Sequence, residues 1–426
     1  VKTTPGARMS PREWARFLLR VFLPFAMGYF LSYLFRSINA LIAPDLTREM
    51  GLRAADLGLL TAAYFLSFSA FQLPLGVLLD RFGPRRVQGL LLLAASAGSV
   101  VFATGHDLMS LALGRALIGV GVSGGLMASF TAITLWVPAP RWPLVNGCFM
   151  TMGGLGALSA TAPAEALLHV TDWRGLFFGL MAASATASAM ILLVTPERHS
   201  GVPHVSFRAS VAGLKRIFLD GLFWRLAPLA ITGFGTGMSI QGLWAGPWLR
   251  DVAGFGRAEV ASGLMTIAGA MTVGFVATGL SADLLSRVRV KPMVVMAAGT
   301  LIFIFAQLLM VLRVAPGAWW SLALFGLFSN FHALCYPILS DHFPRGYAGR
   351  ANTGLNLLVF LGAFSCQYAM GGALDIWPGN DPGTYAPQGY QAAFGGGLAL
   401  QIAAWIWFVW PRRGATGAVR QDVRRG

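Results

Sequence analysis

The chain has 426 residues, of which 56% are hydrophobic and only 12% charged, against the roughly 25% charged content of a soluble domain, so an ordinary soluble enzyme is excluded. Its net charge of +15 raises nucleic acid as a partner, but no basic face with interleaved aromatic residues lies outside the connecting segments, and that reading is set aside. The remaining solvent is lipid, and spans of about 20 apolar residues whose backbones satisfy themselves are helices. The alternating strands of about 10 residues that a barrel needs are not found.

Twelve spans are predicted, running Phe17 to Ala40, Ala55 to Leu79, Val87 to Thr104, Leu108 to Ile133, Pro143 to Leu168, Trp173 to Thr195, Phe223 to Leu249, Val260 to Asp283, Pro292 to Leu312, Ala318 to Leu339, Ala351 to Ile376 and Tyr390 to Trp410. The one sizeable polar interruption is Pro196 to Leu222. The expected organisation is therefore an N-terminal six-helix bundle over 1–195, a cytoplasmic linker over 196–222, and a C-terminal six-helix bundle over 223–426 ending in a short cytoplasmic tail.

Cytoplasmic loops collect Lys and Arg, and most of the 32 basic residues fall on the side that holds both termini, which places the termini inside. The basic run Lys2 to Arg20 resembles a signal n-region, but no cleavage pattern follows and the first span is full length, so it is expected to be retained. Val1, with Met9 close by, is read as a non-standard start codon or a start placed early. Cys148, Cys335 and Cys366 lie in separate spans without ligand spacing, and neither a metal nor another cofactor is expected.

Between the second and third spans the chain reads Gly76-Val-Leu-Leu-Asp80-Arg81-Phe-Gly83-Pro84-Arg85-Arg86, and the second half carries an echo, Gly279-Leu-Ser-Ala-Asp283, with the same glycine-to-aspartate spacing. Gly114-Arg115-Ala-Leu-Ile-Gly119-Val-Gly121, Asp172-Trp173-Arg174 and Tyr390-Gln-Ala-Ala-Phe394 add further matches. Together these resemble the major facilitator superfamily, and the first-span phrase Tyr33-Leu-Phe-Arg36-Ser-Ile-Asn39 is similar to that of its bacterial organic-anion and sugar-phosphate permeases. The resemblance implies an all-α membrane protein of twelve helices in two related halves, with substrate bound between them near the midplane. It also implies a gate at the loop, in which Gly76, Asp80, Arg81, Gly83, Arg85 and Arg86, with Asp283 as the counterpart, latch the cytoplasmic side.

Ionisable groups deep in a span cost several kcal/mol unless paired or hydrated, so they point to function. Tyr29, Tyr33 and Arg36 fall at i, i+4 and i+7 on one face of the first span, and Arg115 lies in the fourth. Two guanidiniums facing a wet cavity would make a fork for a carboxylate or phosphate. The bland readings are a snorkelling Arg36 and an Arg115 that bonds carbonyls. In relatives the position before the first arginine is often acidic, whereas here it is Phe35, which puts the proton site in doubt.

Neutral candidates for the cavity wall are Tyr64, Gln241 and Trp244, with Asn356 and Gln367 on one face of the eleventh span; helix-to-helix bonding is their structural alternative. His332 and Glu165 are the proton-coupling candidates, with packing for the histidine and pairing to Arg174 for the glutamate as plainer roles. No GxxxxGK[ST] sequence occurs, so direct ATP drive is not expected.

The expectation is a monomeric, proton-coupled secondary transporter in a bacterial inner membrane that moves a small anionic or zwitterionic organic solute. Proton-antiport efflux is the rival. Gly153-Gly154-Leu155-Gly156 lacks the adjacent Gly-Pro pair of drug exporters, and Pro163 comes later. A non-transporting receptor of the same fold is the reading from another class.

Overall fold

The computed structural model describes residues 10–138, 141–198, 217–343, 345–381 and 383–410, and excludes the side chains of 73, 80, 143, 144, 147 and 345–349. Among the described residues ten helices are long and apolar enough to cross a membrane. They are α1 (Pro11–Ser37), α2 (Ala54–Gln72), α3 (Arg81–Ala103), α4 (Leu108–Trp136), α6 (Trp173–Val194), α8 (Arg257–Arg287), α9 (Pro292–Val311), α10 (Trp319–His342), α11 (Arg350–Asp375) and α12 (Pro387–Val409). Two more complete the twelve. The fifth, α5 (Trp142–Ser159), stops early, and the seventh, α7 (Gly221–Ser239), is prolonged by a π turn at Ile240–Trp244 and a helix at Ala245–Asp251.

Local chemistry sets the ends. Ser10 and Glu13 form a capping box that starts α1 ahead of the predicted Phe17, and Asp107, Asp172 and Asp220 cap α4, α6 and α7 through backbone N–H groups. Beyond α1 a further helix, Asn39–Met50, ends at Gly51, whose φ of 65° is the left-handed conformation that glycine adopts without a Cβ clash. The run from Ala54 to Ala103 is helical throughout except at Gly83, with φ 77° and ψ 161°, where the chain kinks just inside the start of α3. The predicted fifth span breaks at Ala160 and Thr161 into α5 and a short helix, Ala162–Leu168. The tenth is interrupted by a 3-10 segment, Phe331–Leu334.

Glycines let the helices close on one another. A Cβ on Gly98 of α3 would lie 2.7 Å from the Ile118 nitrogen, and one on Gly114 of α4 would lie 2.7 Å from the Phe102 nitrogen, so α3 and α4 touch backbone to backbone. Large apolar side chains such as Leu90, Val273, Phe305 and Leu400 remain more than half exposed on the outer walls, which suits lipid rather than water.

The two halves meet where α2 packs on α11, α5 on α8, and the extension of α1 on α7. Phe68 and Phe360 stack at 4.1 Å, and Ser69 Oγ donates to the Leu357 carbonyl at 3.0 Å. The loops before α2 and α4 and between α5 and α6 lie on the face away from the termini, here called the distal face. There Asp375 accepts the N–H groups of Ala54 and Ala55 at 2.8 and 3.0 Å, tying α11 to the start of α2. The segment expected as a linker lies largely outside the described residues, over 199–216.

Candidate functional site

Between the halves lies a cavity lined by Tyr33 and Arg36 of α1, Phe234, Gly237, Met238 and Gln241 of the α7 region, Ile267, Met271 and Phe275 of α8, and Phe325, Ser329 and Asn330 of α10. Its free space is about 30 Å³, room for a few waters and too little for an organic solute.

Arg36 is the charged member of this wall and is 6% exposed. Its guanidinium carbon lies 4.6 Å from the Tyr33 ring centroid, 5.2 Å from that of Phe360 and 5.8 Å from that of Phe68. Three ring faces hold the cation electrostatically without neutralising it. Its Nε has no hydrogen-bond partner, and among the described residues no carboxylate stands in the cavity lining beside it. Tyr33 meets Tyr29 edge-on at 5.2 Å, and Tyr29 stacks on Phe149 at 5.0 Å, so this aromatic face runs on into the N-terminal half.

Arg115 does not join Arg36 in the lining, and the expected fork is not assembled there. Fully buried in α4, it donates through Nη1 to the Phe35 carbonyl at 3.0 Å and sits 4.9 Å from the Tyr64 ring centroid. One nitrogen thus takes the carbonyl-bonding role weighed from sequence, while Nε and Nη2 are buried without a hydrogen-bond partner. Tyr64 itself donates to the Ser32 carbonyl at 3.2 Å and is fully buried.

Gln241 lines the cavity. Trp244 is buried behind it against Tyr385, with ring centroids 6.4 Å apart. Asn356 accepts from the Tyr336 hydroxyl at 3.0 Å, a bond within the C-terminal half, and Gln367 is fully buried with neither amide atom partnered. His332 is also fully buried, 4.1 Å from the Phe234 ring centroid and 6.0 Å from that of Phe303, with both ring nitrogens unpartnered. Phe234, which lines the cavity, is thus in contact with the His332 ring.

Glu165 does not pair with Arg174. Arg174 binds Glu49 at 2.7 Å, and the Trp173 indole donates to the same carboxylate at 2.6 Å. These donors, the indole foremost, hold Glu49 below the usual carboxylate range. Glu165 instead accepts from Arg257 Nε at 2.7 Å, while the other edge of Arg257 grips Asp45 at 2.9 and 2.8 Å. His169 stands 3.9 Å from Glu165. This cluster crosses the interface on the distal face, and sequence reading missed it because Asp45 and Arg257 each look like ordinary loop charges.

At the terminal face the side chain of Asp80 lies outside the described residues. Arg86 pairs with Glu197 at 2.8 Å, Arg85 lies 3.5 Å from the same residue and also donates to the Leu192 carbonyl, and Arg81 lies over Phe82 at 5.2 Å. Arg85 and Arg86 therefore fasten the start of α3 to the end of α6, inside the N-terminal half. A Cβ on Gly76 would meet open space, and Asp283 pairs with Arg287 at 2.8 Å one turn along α8.

The family model described as Major Facilitator Superfamily matches residues 25–366. The chain belongs to the Major Facilitator Superfamily. Over 177 residues it is 27% identical to the probable sulfoacetate transporter SauU of Cupriavidus necator, covering 41% of each chain. Over 212 residues it is 27% identical to the efflux pump aunC of Aspergillus niger, covering 50% of this chain and 40% of that one. The chain thus spans about two fifths of the length of these curated relatives. A bacterial homolog to the human lysosomal transporter Spinster, solved in an inward-facing and unoccupied conformation, matches the fold with a TM-score of 0.68 at 16% identity, over 94% of this chain and 96% of that one. The superfamily, together with the apolar helices, points to a multi-pass membrane transporter.

Proposed function

We propose that this superfamily member is a secondary transporter that carries a small organic anion by alternating access. The observation that carries the reading is Arg36, a buried cation on the wall between the halves, ringed by aromatic faces and with no carboxylate beside it in the cavity lining among the described residues. A permanent charge at that depth is costly unless something meets it, and a substrate carboxylate, sulfonate or phosphate does so with charge-assisted hydrogen bonds. A relative named for sulfoacetate transport agrees in the sign of the charge.

In this reading Tyr29, Tyr33 and Gln241 shape the cavity, Arg115 and Tyr64 hold α1 in place, and Trp244, Asn356 and Gln367 support the C-terminal wall. The charge distribution supports cytoplasmic termini, a bacterial inner membrane, and a latch formed by Asp80, Arg81, Arg85 and Arg86 with Gly76, Gly83 and Asp283 on that side. The domain limits 1–195, 196–222 and 223–426 belong to the same proposal, as do a monomeric state and coupling to protons through Glu165 or His332.

Proton-antiport efflux of drug-like or metabolite solutes, lipophilic cations included, is the second reading, favoured by Met238, Met271, Phe275 and Phe325 on the opposite wall. A thermal-shift screen of the purified protein against organic anions, neutral solutes and lipophilic cations separates the two. Anions should stabilise the wild type and not Arg36→Gln; stabilisation by lipophilic cations alone would favour efflux.

A further inference from the structure

We infer that the cavity selects a monovalent anion with an apolar body, and rejects dianions. The inference rests on the anion reading above and adds its charge number. Four helical regions wall the cavity, and the segments 226–249, 260–282 and 319–340 from three of them contain no Asp, Glu, Lys or Arg. Beyond Arg36 the next charged residue along the chain is Asp45, in the helix Asn39–Met50, which Arg257 already grips on the distal face. Parting the halves to admit a solute therefore brings no second cation to the wall from these segments.

The other deep arginine, Arg115, is not part of this wall: its Nη1 bonds the Phe35 carbonyl, it packs on the Tyr64 ring, and its Nε and Nη2 are buried there without a partner. The site thus has one guanidinium, and the rings of Tyr33, Phe68 and Phe360 crowd it so that it meets one acidic group. Opposite stand thioether and phenyl groups, Met271 and Phe275 among them, with the neutral amides of Gln241 and Asn330 between. A second negative charge on the solute would lie against these groups with nothing to neutralise it, whereas an alkyl or aryl body is matched there. Sulfoacetate, which carries two acidic groups, does not fit this wall.

The test is titration calorimetry of the full chain in nanodiscs with phenylpropionate, phenylsuccinate, phenylpropionamide, acetate and sulfoacetate. Phenylsuccinate adds one carboxylate to the phenylpropionate body, and the amide removes the charge. Phenylpropionate should bind, and the other four should each bind at least about tenfold more weakly, the factor expected when one charge-assisted bond is lost or one charge is buried unpaired. Arg36→Gln should erase the preference of acid over amide. Phenylsuccinate or sulfoacetate binding as tightly as phenylpropionate would overturn the monoanion inference and leave the anion reading standing. Acetate matching phenylpropionate would remove the apolar body from it. If the amide equals the acid, or no acid binds, both readings fall, and because these comparisons use the wild type they do not depend on the variant folding.

Discussion

Arg257 at the start of α8 and Glu165 beyond the end of α5 meet across the interface between the halves, Nε to Oε1 at 2.7 Å, and the same guanidinium holds Asp45 with its other edge. One side chain of the C-terminal half thereby clamps two elements of the N-terminal half. Asp375 on the start of α2 is a second tie on that face.

Replacing Arg257 with Gln should loosen the distal face. Its side chain is 42% exposed, so screening reduces the clamp to roughly 1 kcal/mol, a shift of about fivefold in the ratio of closed to open forms. Spin labels at Val170 and Val314, in a background without the three cysteines, should report a larger long-distance population in Arg257→Gln. An unchanged distance distribution would remove the cluster from the gate.

The twelve spans were legible because each is an apolar run bounded by charge, and that signal survives without any knowledge of packing. The breaks at Ala160 and at Ser329 to Asn330 were not, since small and polar residues inside an apolar run do not announce whether a helix bends. The clamp was hidden for a different reason: Asp45 and Arg257 are 212 positions apart and only the fold joins them. Arg36 could be singled out by depth alone. The partner of Arg115 could not, because the Phe35 carbonyl it binds lies on another helix, just before α1 turns at Ile38.

The two deep arginines should consequently separate in experiment. Arg36→Gln should weaken binding of any anion found in the thermal-shift screen by about tenfold to a hundredfold, the worth of a charge-assisted bond. Arg115→Gln should lower the melting temperature, since it removes a buried bond that ties α4 to α1, while leaving anion affinity within about twofold. Equal losses of affinity in both variants would restore the two-arginine fork.

Glu49 gives a pH dependence with a definite sign. Trp173 and Arg174 hold its carboxylate below the ordinary range in the folded chain, so its contribution to stability is present above the unfolded value of 4.5 and is lost as pH falls through the lowered folded value. Glu49→Gln should therefore melt below the wild type at pH 7, and the gap should close on acidification beneath that range. A gap that widens in acid would contradict the assignment.

Proton coupling is best tested by pitting Glu165 against His332. His332 is fully buried against Phe234 and Phe303 and is not among the residues that line the cavity. Glu165 belongs to the clamp and has the exposed His169 beside it. Opening the distal face would separate Arg257 from Glu165, so this carboxylate is the acidic group whose ion pair is broken and remade as the halves move. Glu165→Gln mimics the neutral form. In proteoliposomes loaded with an anion from the screen, it should keep exchange of labelled for unlabelled anion but lose accumulation driven by a pH gradient. His332→Gln should keep both. Accumulation that survives Glu165→Gln and disappears in His332→Gln would move the coupling site to His332, and loss in neither would point away from protons as the coupling ion.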